Sequence, residues 1–144
     1  MLSNLAIAEE TESGELVMEQ RYSTLEYALF RLDIATSTMS IQSCAHTLYC
    51  VLKQHFALED NSAAFFSSIQ DLASNSQVRI WALRKEHPIL LKRVNQLALG
   101  EIQAKTNSAL RLYARELIGA IRQHEAVETQ TYFEGLYNEL GGQG

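Results

Sequence analysis

The chain of 144 residues has one proline, seven glycines and two cysteines, and its 12 Lys and Arg are outnumbered by 17 Asp and Glu. Each scarcity excludes something. With Pro88 the sole proline and glycine sparse before Gly119, long helices are allowed almost everywhere. Cys44 and Cys50 are too few for a disulfide framework and are expected as reduced thiols of a cytoplasmic protein. A formal charge of −5 has the wrong sign for holding a phosphate backbone, so no nucleic-acid partner is expected. The longest apolar run, Leu48 to Leu52, falls far short of the ~20 residues needed to cross a bilayer. No basic stretch followed by an apolar one opens the sequence, so neither export nor a membrane partner is expected. At this length a single domain can bury a core without disulfide or metal staples.

Four segments carry helical periodicity, and no alternating strand pattern competes with them. The first, from about Gly14 to Thr36, places Met18, Tyr22, Leu25, Leu29 and Leu32 on one stripe. Thr36-Ser37-Thr38 is a polar break suited to a turn. The second, from about Ser40 to Leu72, has the stripe Leu48, Val51, Leu52, His55, Glu59, Phe66 and Ile69. Ser74 and Gln77 are spaced as a capping box and open the third, whose stripe is Ile80, Leu83, His87, Leu90, Leu91, Val94 and Ala98, with Gly100 as its stop. The fourth begins between Thr106 and Ser108 and reaches about Leu140, with the stripe Leu110, Tyr113, Leu117, Ala120, Ile121, His124 and Glu128. These elements predict an all-α protein, an up-down-up-down antiparallel four-helix bundle over residues 13–140. Residues 1–12 read as a loose arm, and Gly141-Gly142-Gln143-Gly144 as a tail that cannot hold a helix.

The informative residues are the polar ones inside the apolar stripes. Glu59 lies about 40° around the helix from His55 and one turn along, and Leu48, Leu52, Phe66 and Ile69 fall within roughly 60° of His55. His124 and Glu128 repeat this arrangement in the fourth segment, and the third adds His87 among Leu83, Leu91 and Val94. Burying such groups without partners costs several kcal/mol each. A metal ion resolves the cost, because imidazole and carboxylate are donors that suit iron, zinc or manganese. A metal-free polar network, each histidine paired with the glutamate one turn away, resolves it too, and would leave a bundle acting as a protein-interaction or regulatory module.

The ordered set of His55-x3-Glu59, Glu86-His87 ahead of an apolar run, and His124-x3-Glu128 resembles the hemerythrin-like, or HHE cation-binding, domain family. The matching stretches are Gln54 to Phe66, Glu86 to Leu97 and Arg122 to Leu136. The resemblance implies a four-helix bundle with a non-haem iron centre of one or two irons. Such a protein binds oxygen, or senses oxygen, redox state or iron, rather than turning over an organic substrate. His55, His87 and His124 would then be terminal ligands, with Glu59 and Glu128 bridging two irons. The family takes a further histidine from the first helix, and this chain has none before His46. The best-placed substitute on the first stripe is Tyr22, with Glu26 and Glu19 on its shoulder. The position left by the missing histidine would admit water or a small ligand such as dioxygen, and a protein partner or a second copy of the chain would receive the signal.

Six further positions carry expectations. His46 lies about 180° around its helix from His55 and should face outward. Cys44 reads as a small buried hydrophobe. Pro88 either kinks a continuous third helix and aims His87, or marks the true start of that helix near Glu86. Gly119 and Gly135 either allow close helix contact or weaken the fourth helix, and Trp81 should be half-buried at a stripe edge.

Overall fold

The computed structural model describes residues 22–61 and 74–141. These residues form four helices and no strand: α1 over 22–34, α2 Thr38–Asn61, α3 Ser74–Ala98 and α4 Asn107–Gly141. The expected arm at 1–12, Met18, Glu19, Phe66, Ile69 and residues 142–144 lie outside the described residues. The fourth helix ends one residue later than expected, including Gly141.

Local chemistry accounts for the helix ends. The break before α2 is closed by a reciprocal cap: the Ser40 amide donates to Ser37 Oγ and the Ser37 amide to Ser40 Oγ, both at 3.1 Å. Serine here takes the part that Glu or Gln plays in the usual capping box, and it starts α2 two residues earlier than expected. Thr106 caps α4 by accepting the Ala109 amide at 3.1 Å. At the end of α3, the Glu101 amide reaches the Gln96 carbonyl at 2.9 Å and the Gly100 amide reaches Leu97 at 3.3 Å. That double closure requires a left-handed residue, and Gly100 supplies it with φ of 71°.

α2 packs against α3, α3 against α4, and α2 also meets α4. The shared core is Leu25, Leu29 and Leu32 of α1, Ile41, Leu48, Leu52 and Phe56 of α2, Leu90, Val94 and Leu97 of α3, and Leu110, Leu117, Ile118 and Ile121 of α4. The stripes predict most of these residues. Val51, Leu91, Ala98, Tyr113 and Ala120 sit at the margin of the core rather than inside it. Tyr22 of the first stripe is 42% exposed rather than in the core. Ile80 and Leu83 are buried outside the main cluster, which puts the polar residues of the stripes between two apolar regions.

Helix α3 runs unbroken through Pro88, which excludes a start near Glu86. Pro88 faces outward and leaves one helix hydrogen bond unmade at the turn that presents His87. Gly119 is exposed, and a Cβ built there would meet nothing within 4 Å, so the reading as a site of close helix contact is corrected. His46 is exposed as expected. Cys44 packs half-buried against the core, and Cys50 is exposed. Trp81 is half-buried as expected, at 50% exposure, with the Arg84 guanidinium over its ring at 4.9 Å. No helix among the described residues is long and apolar enough to cross a membrane.

Gly100 and Gly119 should respond to alanine with opposite sign. Gly100→Ala forces a side chain into the left-handed region and should lower stability by ~1–2 kcal/mol. Gly119→Ala fills open space on an exposed helix and should raise it by ~0.5–1 kcal/mol. Urea unfolding midpoints measure both, and a stable Gly100→Ala protein would contradict the helix-end geometry.

Candidate metal centre

The five polar residues expected to face inward are all buried: His55 at 1% exposure, Glu59 at 4%, His87 at 2%, His124 at 3% and Glu128 at 8%. Their helical spacing places them there. His55 and Glu59 leave α2 one turn apart, His124 and Glu128 do the same from α4, and His87 comes from α3 between them.

Two groups of converging donors result, and in each the donor atoms lie within 4.8 Å of one another. One comprises His87, His124 and Glu128. Glu128 Oε2 stands 3.4 Å from His87 Nε2 and 3.0 Å from His124 Nε2. The other comprises His55, Glu59 and Glu125. His55 Nε2 stands 2.9 Å from Glu59 Oε1 and 3.0 Å from Glu125 Oε2. Glu59 links the groups, because its second oxygen lies 3.6 Å from His87 Nε2.

Glu125, Asp60 and Glu86 are the functional neighbours that stripe reasoning missed. Glu125 follows His124 and is turned about 100° from it, off the apolar stripe but toward α2. Asp60 and Glu86 stand at the rim, 40% and 51% exposed, and grip rings from behind. Asp60 accepts from His87 Nδ1 at 3.2 Å, and Glu86 from His124 Nδ1 at 2.8 Å. A carboxylate on Nδ1 fixes the imidazole so that Nε2 points inward, the arrangement found behind metal-binding histidines. The signal for Glu86 was its place next to His87, but its partner is His124 on another helix.

Helix α1 contributes no converging donor among the described residues. Tyr22 sets its ring edge against His55, with centroids 6.1 Å apart, but its hydroxyl bonds with Thr129 Oγ1 at 3.3 Å. Glu26 turns outward to Arg122. Phe56, 1% exposed, lies at the middle of the layer, stacked on His87 at 3.9 Å and edge-on to His55 and His124. It keeps the imidazoles dry on that side.

Burial opposes the imidazolium of His55, but Glu125 and Glu59 outweigh it and raise the group to about 9. His124 is likewise raised to about 9, against its burial, by Glu128 and Glu86. His87 is raised by Glu128 and Asp60, again against burial. Burial pushes the Glu59 carboxyl up to about 7, while the facing histidines hold Glu128 well below the usual carboxylate range despite burial. Without metal, the neighbouring carboxylates thus favour the imidazolium forms of His55 and His124, while Glu59 and Glu128 are pushed to opposite sides of the usual carboxylate range.

The residues also fit a metal. Two donors bound to one divalent cation at about 2.1 Å stand about 3.0–3.4 Å apart, close to the 2.9–3.4 Å between each histidine and its facing glutamates in the two groups. Two imidazoles and a carboxylate on one cation, as in the His87 group, form the set that suits non-haem ferrous iron. One buried ring nitrogen, His55 Nδ1, makes no hydrogen bond among the described residues, so the network leaves part of the donor capacity unused. In comparisons with known proteins, no family model, no curated protein and no solved structure matches this chain.

The pKa shifts set the pH dependence of the metal-free protein. Groups raised on folding contribute stability that is complete below their unfolded values and lost as pH rises through the folded ones. His55 and His124 therefore withdraw support as pH climbs from 6.5 to about 9. Glu128, lowered on folding, acts in the opposite direction and withdraws support only in acid, below its ordinary value of 4.5. The melting temperature of chelator-treated protein should fall between pH 6.5 and 9, and His55→Gln should flatten that fall. A melting temperature constant over this range would contradict the imidazolium pairs.

Proposed function

We propose that the chain is a hemerythrin-like non-haem metal protein whose buried polar layer holds one or two ions, iron above zinc or manganese. Its helices would follow the up-down-up-down antiparallel course. Pairs that run in opposite order along α1 and α4 support that course: Tyr22 with Thr129, Glu26 with Arg122, and Asp33 with Arg115. Arg79 with Glu134 and Glu86 with His124 do the same for α3 and α4, while Thr38 with Asn107 and His55 with Glu125 run in the same order along α2 and α4.

The single observation that carries the reading is the convergence of three buried imidazoles and three carboxylates from three helices, two of the rings pinned from behind by Asp60 and Glu86. His55, Glu59, His87, His124 and Glu128 would hold the metal. Iron bound there supplies redox chemistry and affinity for a small ligand such as dioxygen. The protein's own part is to orient and exclude. Asp60 and Glu86 keep Nε2 of their rings inward, and Phe56 bars water. Glu59, with one oxygen toward His55 and the other toward His87, would stand between the two groups of donors. On this reading the protein binds or senses oxygen, redox state or iron in the cytoplasm and passes the state of the layer to a protein partner.

A metal-free polar core is the competing reading, and the His–Glu pairs one turn apart, at 2.9 and 3.0 Å, favour it. The two readings separate on loading. Anaerobic ferrous iron should be retained through desalting, and air should add a near-ultraviolet band. Uptake at pH 7 should expel protons from His55 and His124, detectable in weakly buffered solution. His124→Leu should lose both the iron and the metal-dependent rise in melting temperature. Failure to retain iron, with His124→Leu as stable as the parent or more so, would overturn the proposal in favour of the polar core.

A further inference from the structure

We propose that Glu125 completes a second metal position with His55 and Glu59, unequal to that of His87, His124 and Glu128, so that two divalent cations enter the layer in a fixed order. The inference rests on the metal reading above, but its ligand set departs from the histidine that the resemblance expects from the first helix. The geometry gives the reason. Both Glu125 oxygens face His55 Nε2, at 3.1 and 3.0 Å, and Glu59 Oε1 meets the same nitrogen at 2.9 Å. Three donors thus converge from α2 and α4 alone. The α1 side chains at this level are engaged elsewhere, Tyr22 with Thr129 and Glu26 with Arg122. His124 and Glu125, adjacent in sequence, diverge by about 100° and feed one position each.

The two positions differ in donors and in preparation. Two imidazoles and one carboxylate make the first nitrogen-rich, while one imidazole and two carboxylates make the second oxygen-rich. Both rings of the first are fixed through Nδ1, by Asp60 and Glu86. His55 Nδ1 is buried with no hydrogen-bond partner among the described residues, and none of those holds that ring from behind through Nδ1. Rings held in place bind more tightly than rings that must be ordered by the metal. The His87 position therefore fills first and the His55 position second. Glu59 faces both, with one oxygen toward each, and would carry the effect of the first ion to the second.

Calorimetric titration of the metal-free full chain with zinc tests this. The parent should take up two zinc ions in steps separated by more than about tenfold in Kd. Glu125→Gln should lose the weaker step and keep the tighter one within about threefold, and His87→Ala should lose the tighter step. Tyr22→Phe should leave both steps as they are. If Glu125→Gln does not retain the helical circular dichroism of the parent, Glu125→Asp replaces it. Asp keeps the charge but withdraws the carboxylate, and should weaken only the second step, by more than about tenfold. A parent that binds a single zinc, or a Glu125→Gln protein that keeps both steps, would overturn the second position while leaving the metal reading intact. A parent that binds no zinc would overturn the metal reading itself.

Discussion

The structure depends on how one layer of the core balances its charge. Three imidazoles and two carboxylates are placed where hydrocarbon would ordinarily be, and none is more than 8% exposed. Their desolvation is offset only because every ring faces a carboxylate at about 3 Å. Removing one member leaves a buried charge without its counterpart, so the layer stands or falls as a unit. The same balance explains the opposite shifts of Glu59 and Glu128. Two neighbouring buried carboxyls cannot both ionise readily, and the one held more strongly by the imidazoles keeps the negative charge.

The rest of the fold serves to keep that layer in register. Side-chain caps at Ser37 and Thr106 and the glycine closure at Gly100 fix where α2 and α4 begin and α3 ends. Helix phase then carries those fixed points to the layer, since a shift of one residue would turn a side chain by about 100°. Apolar packing below the layer, from Leu25 to Ile121, supplies the bulk of the burial. Exposed pairs such as Asp33 with Arg115 contribute little stability but agree with the helix alignment. Phe56 joins the two regimes, being at once a core side chain and the surface against which three rings rest.

Much of this was legible in the sequence, because burial follows helical phase. The positions of His55, Glu59, His87, His124 and Glu128 on apolar stripes placed all five indoors, and Gly100 was readable as a helix stop. Glu125 was not legible: it lies beside the stripe, and only the approach of α2 brings its carboxylate onto His55. Asp60 and Glu86 were hidden for a related reason. Each is a rim residue whose partner sits on another helix, 27 and 38 positions away in sequence. Ile41, Ala45, Leu97, Ala114 and Ile118 escaped the stripes because a helix touching more than one neighbour buries a wider arc than a single line of apolar residues. Tyr22 erred in the other direction: its stripe position suggested a donor, but its hydroxyl is taken by Thr129.

X-ray absorption at the iron edge of the loaded protein tests the central claim most directly, because it reports which atoms surround the metal. The account predicts a first shell of mixed nitrogen and oxygen at about 2.1 Å, with the outer-shell scattering of imidazole rings that is lost in a His87→Ala, His124→Leu double variant. A shell of oxygen alone, without imidazole scattering and unchanged in that variant, would place the iron on surface carboxylates. It would leave the buried layer a metal-free network of ion pairs.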